Sequence, residues 1–304
     1  MRLANLLRTP PPPHAFSAGV DALLYGRMGR DRQGLERVET QPLADTWCQL
    51  GPVGVLHVDK AQLDAAIGTL VKRLDKPPTR ASLVVPNAWV RSIVLDVENF
   101  PRQRDEAEDV LRWRLKKLLP CRPEEVRLDW LRGGENGRVL VLLALERPLA
   151  VIEEVFAASG VHIGCVEPTA LALTSLLPPA SEAALLVTNE ARSLGLVLVI
   201  AGKVALVRHK ALPADAGMAE TFAVRELART LAHARERERT TGVVNVWVAS
   251  PQPALVGVIA DWSAREQGVA MHRLALGAGR VPEAPAIEPV RLWSLLATIW
   301  QGGA

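Results

Sequence analysis

The sequence predicts an α/β protein of two lobes, each built around its own sheet. Short apolar runs of strand length, such as Ala81–Pro86 and Gly195–Gly202, alternate with longer segments whose apolar residues recur at helical spacing. The pattern restarts after Pro178-Pro179, so strands and helices come in two successive sets. A chain of 304 residues with a hydrophobic fraction of 49% can fill two cores, and no run approaches the ~18 apolar residues of a membrane span.

Residues 1–15 read as a Pro-rich arm, because Pro10–Pro13 favour an extended conformation and cannot continue a helix. Ala18–Met28 and Leu35–Leu43 flank the turn-rich GRDRQG and predict a β-hairpin, with Val53–Val58 as a further strand. Asp59 caps a helix whose apolar residues are Leu63, Ala66, Ile67, Leu70, Val71 and Leu74, and Lys76-Pro77-Pro78 ends it. Ala81–Pro86 reads as a strand buried on both faces, and Val90–Val97 as its return. In the helix Arg104–Leu119 the acidic Asp105, Glu106, Glu108 and Asp109 come early and Arg112, Arg114, Lys116 and Lys117 late. That order complements the helix dipole, and Pro120 closes the element. Val126–Leu131 and Val139–Leu145 pair across GGENG, and a helix from Leu149 to Ser159 stops at Gly160. The strand VHIGCVEP and an apolar helix Thr169–Leu177 complete a first lobe of residues 16–179.

The second lobe, 180–304, opens with Ala184–Thr188, Leu194–Ile200 and Val204–Arg208. Helix Met218–Glu238, strand Val243–Ala249, helix Pro253–Gln267 and strand Val269–Leu274 follow. A Gly277–Gly279 link then leads to a last helix, Pro289–Trp300, counted with this lobe.

Several chemistries are disfavoured. Lys plus Arg number 36 against 33 for Asp plus Glu, a net charge of +3 that predicts no nucleic-acid surface. Cys48, Cys121 and Cys165 form neither a disulfide framework nor a metal-type pair, which points to a reducing compartment. The start, MRLANLLRTPPPP, lacks the apolar core of a secretory signal, so a cytoplasmic location is expected. Gly195…Gly202-Lys203 does not make a phosphate-binding loop, since Val204 stands where Ser or Thr is needed and the lysine sits in a hairpin turn. No catalytic residue and no metal ligand set emerges.

Tryptophan usage is informative: eight Trp against one Tyr and four Phe. On the helix Arg104–Leu119, Ala107, Val110, Leu111, Leu115 and Leu118 form one stripe, and Trp113 falls away from it among charged residues. An exposed Trp flanked by Arg has the composition of a binding hot spot, and the alternative is packing against the other lobe. Trp89 beside Arg91 carries the same two readings. The three are the candidate partner-binding residues.

Two stretches carry a family resemblance: SLVVPNAWVRSIVLDVENFPRQRDEAEDVLRWRLKKLLP and ASGVHIGCVEPTALALTSLL. In order and spacing they are similar to PilM-type proteins of type IV pilus assembly and to the related cytoplasmic domain of GspL-type secretion proteins, over roughly residues 16–275. The resemblance implies an actin-like ATPase fold, with an insertion subdomain at about 91–145 in the first lobe. It also implies a nucleotide cleft between two hairpins whose turns carry Asp-x-Gly. Here the first turn keeps Asp21 but has Leu23 at the glycine position. The second, around Thr188 and Asn189, lacks both residues, and Ser250-Pro251-Gln252-Pro253 replaces a later Gly-Gly turn. Only Pro213–Gly217 stands where a lid subdomain belongs. Leu23 and Glu190 are expected to oppose a polyphosphate, which predicts a cleft without cofactor and no enzyme activity.

The implied role is a cytoplasmic scaffold binding the tail of a PilN-like membrane protein, together with other pilus platform components. Such a scaffold would sit at the inner membrane through its partners, and self-association is left open. A short apolar peptide would dock between the sheet near Trp89 and the insertion subdomain. A working ATPase that keeps ATP with magnesium, and a soluble GspL-like component of type II secretion, stand as alternatives.

Overall fold

The computed structural model describes residues 11–132, 137–178, 183–190, 193–275, 280–282 and 287–300. Most of the Pro-rich arm, most of the GGENG turn, Pro179, Ala191-Arg192 and the Gly277–Gly279 link lie outside the described residues.

The chain opens with an antiparallel meander of β1 (His14–Ala18), β2 (Ala22–Met28) and β3 (Leu35–Pro42). A small hairpin of β4 (Cys48–Gly51) and β5 (Gly54–Val58) follows, then α1 (Lys60–Lys72) and β6 (Arg80–Val85). Asp59 caps α1 by accepting from the Gln62 N–H at 3.0 Å. Leu63, Ala66, Ile67 and Leu70 turn the helix's apolar face into the core with Phe16, Leu83 and Phe156. β6 pairs in parallel with β1 on one side and with β10 (His162–Pro168) on the other, which is why Ala81–Val85 is apolar almost throughout. The sheet order is β10-β6-β1-β2-β3.

Between β6 and β10 the chain makes an excursion through β7 (Arg91–Asp96), α2 (Arg104–Leu115), β8 (Val126–Arg132) and β9 (Arg138–Leu145), before α3 (Glu146–Ala158) returns to the lobe. The three strands form a separate antiparallel sheet, β7-β9-β8, and α2 packs Ala107, Leu111 and Leu115 onto it. This is the insertion subdomain.

A short α4 (Thr169–Ala172) crosses to the second lobe, which contains β11 (Ala183–Glu190), β12 (Ser193–Ile200), β13 (Lys203–Ala211), α5 (Ala216–Glu236), β14 (Val244–Ala249), α6 (Pro253–Arg265), β15 (Val269–Arg273) and α7 (Pro289–Ile299). Its order, β13-β12-β11-β14-β15, repeats the path of the first sheet: an antiparallel meander, then parallel strands added beside its first member. β13 ends at Ala211 and α5 begins at Ala216, so no subdomain is inserted there. No helix among the described residues is long and apolar enough to cross a membrane.

Four expectations need correction. The arm does not extend to residue 15: His14 and Ala15 already pair with Arg27 and Gly26, and the His14 ring meets the Tyr25 hydroxyl at 2.8 Å. α2 stops at Leu115 rather than Leu119. The Leu118 N–H turns back to Leu115 O ahead of Pro120, which leaves Leu118 outside the apolar stripe and 47% exposed. The apolar helix from Thr169 breaks after one turn into a 3₁₀ segment, Leu173–Leu176, where the Thr174 and Ser175 hydroxyls bond backbone carbonyls three residues back. Finally, the C-terminal helix α7, counted with the second lobe, packs on both: Val290 and Ala297 join Ala184, Leu186 and Val197 of the second sheet, while Leu295, Leu296 and Ile299 cover Ala15, Leu24, Met28 and Leu35 of the first.

Candidate functional site: the cleft between the lobes

Between the lobes lies a cleft of about 1340 Å³. Its floor is formed by the β1–β2 turn and the facing ends of β11 and β12, Glu190 and Ser193, and its walls by β13, α5, the β4–β5 turn and the segment following β6.

The first turn runs from Gly19 to Ala22, closed by Gly19 N–H to Ala22 O at 2.9 Å. Trp47, fully buried, holds it from below by donating its indole N–H to Gly19 O at 3.0 Å. Arg291 of α7 covers it from above. Its Nη1 donates to Asp21 Oδ1 at 2.9 Å and its Nη2 to Ala22 O at 2.7 Å. A Cβ at Gly19 would stand 2.4 Å from that guanidinium, so a side chain there would push the Arg291 head away from the turn. The steric role expected of Leu23 is not found. Because strand residues alternate faces, its side chain points away from the cleft and is fully buried in the first-lobe core.

A buried polar network lies at the facing ends of β11 and β12. Asn87, in the 3₁₀ segment Asn87–Trp89 after β6, accepts from Ala170 N–H at 2.8 Å and donates its amide to Thr188 Oγ1 at 3.4 Å. Its backbone N–H donates to Glu190 Oε2 at 3.4 Å, and Thr169 Oγ1 lies 3.1 Å from Glu190 Oε1. Burial pushes the Glu190 carboxyl up to about 7, against the lowering effects of Thr169, Arg291 and Asn87. Thr169 has one proton for two acceptors, Val85 O at 3.2 Å and Glu190, so a neutral Glu190 that donates to Oγ1 satisfies both. Gly195, paired with Thr188 across the hairpin, keeps this space open: a Cβ would lie 2.3 Å from Thr188 Oγ1 and 2.8 Å from Asn87 Nδ2. Asn189 is also buried, and its amide reaches Ser250 Oγ at 3.5 Å. The Ser250–Pro253 turn borders a separate small pocket and not the cleft.

Of the three partner-binding candidates, the cleft brings together two. Trp89 and Arg91 belong to its wall, but Trp89 is not a surface anchor. It is 1% exposed and packs on Trp47 with ring centroids 5.4 Å apart. Its indole N–H is buried without an acceptor. Trp113 is 72% exposed on the outer side of α2 and does not line the cleft, so the reading in which it packs against the other lobe is overturned. Sequence reasoning missed Gly19, Asn87, Thr169 and Arg291. Arg291 did leave a signal, as the single charge in the otherwise apolar helix PVRLWSLLATI. Among the described residues no group of three or more His, Cys, Asp or Glu is placed to hold a metal ion.

No protein-family model matches the sequence, and no curated protein matches it. Solved structures do. The chain is similar to one in a PilM-PilN type IV pilus biogenesis complex, with a TM-score of 0.64 and 19% identity over 96% of this chain and 98% of that one. It is also similar to a Bacteroides thetaiotaomicron protein with actin-like ATPase fold and unknown function, with a TM-score of 0.52 and 8% identity over 93% and 94% of the two chains. The fold is therefore that of the actin-like ATPases, in two lobes with an insertion in the first.

Proposed function

We propose that this actin-fold chain is a scaffold of a type IV pilus inner-membrane platform, working by recognition rather than catalysis, and that it binds the cytoplasmic tail of a PilN-like membrane protein. The observation that carries this reading is Arg291. In a nucleotide-holding relative of this fold, the first turn would offer its backbone to phosphate and its aspartate to magnesium. Here a guanidinium already fills the space over Gly19 and engages Asp21, while the Glu190 carboxyl stands at the end of β11. The residues present do not fit a magnesium nucleotide.

A peptide suits the same region better. The cleft lining offers apolar surface at Val20, 45% exposed, and Leu50, 46% exposed, which a short apolar segment can cover. The likeness to a chain from a PilM-PilN complex supports the identity of the partner. Ordering a short tail costs conformational entropy, so single-site affinity is modest and assembly relies on several copies. Location at the cytoplasmic face of the membrane follows from that partner.

The test is calorimetric titration of the full chain with the cytoplasmic segment of a PilN-like protein, with and without ~1 mM magnesium ATP. At that concentration a nucleotide of ~10 μM affinity would add about 2.7 kcal/mol to stability. Saturable peptide binding that nucleotide does not alter is expected. Absent peptide binding, or saturable nucleotide binding, refutes the reading.

A further inference from the structure

The cleft leaves Trp113 unexplained. It stands 72% exposed near the C-terminal end of α2, with Arg114 over its ring at 5.4 Å, and Leu118 follows at 47% exposed on the turn after the helix. Lys116 and Lys117 lie between them, both exposed. Among the described residues, neither lysine nor Arg114 has a carboxylate partner. The nearby acids are mostly spent: Glu108 is held by Arg112 at 2.6 Å, and Glu125 by Arg122 at 2.8 Å. With Glu124 counted against the three free cations, the tip keeps a surplus of positive charge. Asp105 and Glu106 sit in the first turn of the helix. Asp109 lies one turn before Trp113, and with it and Glu124 both counted the three free cations still leave a surplus of one positive charge.

The residue types narrow the class of partner. An exposed Trp and an exposed Leu among three unpaired cations, Arg114, Lys116 and Lys117, match the interface of a bilayer. There the indole sits at the headgroup level and the lysines meet anionic lipid.

We infer that the C-terminal end of α2, through Trp113, Leu118, Lys116 and Lys117, docks directly on an anionic lipid surface. This contact is independent of the cleft and of any membrane-anchored partner.

The test is co-sedimentation of the full chain alone with vesicles of phosphatidylcholine containing phosphatidylglycerol, against vesicles of pure phosphatidylcholine. Wild type is expected on the anionic vesicles only, with binding lost at high salt. One lysine near an anionic surface multiplies binding by about fivefold, so K116Q/K117Q is expected to lower the partition coefficient by about 25-fold. Trp113→Ser weakens it further, whereas Lys60→Gln, on α1 outside the insertion subdomain, leaves it unchanged. Unaltered melting temperatures check that the exposed substitutions leave the fold intact. Failure to sediment, or equal sedimentation of K116Q/K117Q and wild type, overturns the inference. So does capture of an acidic polymer such as poly-glutamate without vesicle binding, which would assign the tip to an acidic protein. Because no partner peptide is present, none of these outcomes bears on the cleft.

Discussion

Replacing Glu190 by Gln tests the buried network at the ends of β11 and β12 most directly. Glu190 is 6% exposed, and its carboxyl is raised from 4.5 to about 7, chiefly by desolvation. The folded state therefore keeps a proton that the unfolded chain releases above pH 4.5. The sign follows: stability carries no penalty from this group below pH 4.5, falls as pH rises from 4.5 to 7, and levels off above 7. At ~1.4 kcal/mol per pH unit, the full penalty is about 3 kcal/mol. Glutamine has nearly the same shape, can still accept from the Asn87 N–H and donate its amide to Thr169 Oγ1, and does not ionise. The half-buried His209 and His233, whose pKa values burial depresses, contribute to the pH dependence with the opposite slope. They cancel when the variant is compared with wild type. The assay is urea denaturation of both proteins from pH 4.5 to 8. The stability of Glu190→Gln relative to wild type should climb by about 3 kcal/mol across the interval, with half the change complete before pH 6. A constant difference would mean that Glu190 is ionised and solvated in the folded protein, and the network would have to be redrawn.

Two further outcomes follow from the same cleft. Gly195→Ala forces a methyl into the gap beside Thr188 and Asn87 and should cost about 1–3 kcal/mol of stability in thermal melting. Pairing it with Thr188→Ala should recover part of that loss, a non-additivity that a remote effect would not produce. Arg291→Ala removes a charge-assisted bond and a carbonyl partner, and since Asp21 is largely exposed the cost should be about 2 kcal/mol, visible as a melting temperature lowered by several degrees. An unchanged melting temperature would show that α7 does not depend on this contact.

The order of strands and helices was legible because the physical signals are local. Continuous apolar runs mark strands buried on both faces, and helical spacing with Asp59 as cap marks α1. The site was less legible, because its contacts join residues far apart in the chain. Asn87, Thr169 and Glu190 meet across separations that no local pattern encodes, and Asp21 meets a side chain 270 positions away. The reading of Leu23 failed for a simple geometric reason. The turn takes its glycine before Asp21 instead of after it, and the strand's alternation then sends Leu23 into the core. Trp89 and Trp113 looked equivalent in sequence, since each is a Trp beside an Arg. What separates them is that Trp89 meets Trp47 from a distant segment while Trp113 faces away from the sheet beneath α2.

The packing of α7 on the first sheet has a consequence for biosynthesis. Ala15, Leu24, Met28 and Leu35 leave the ribosome early, but the residues that cover them, Leu295, Leu296 and Ile299, are translated some 260 positions later, about a quarter of a minute or more at ordinary elongation rates. The lobe that is synthesised first is thus the last to be completed. Throughout that interval one apolar face of its sheet stands open to chaperones or to another nascent chain, and a ribosome that stalls before residue 289 delivers a product whose defect lies at the opposite end of the polypeptide.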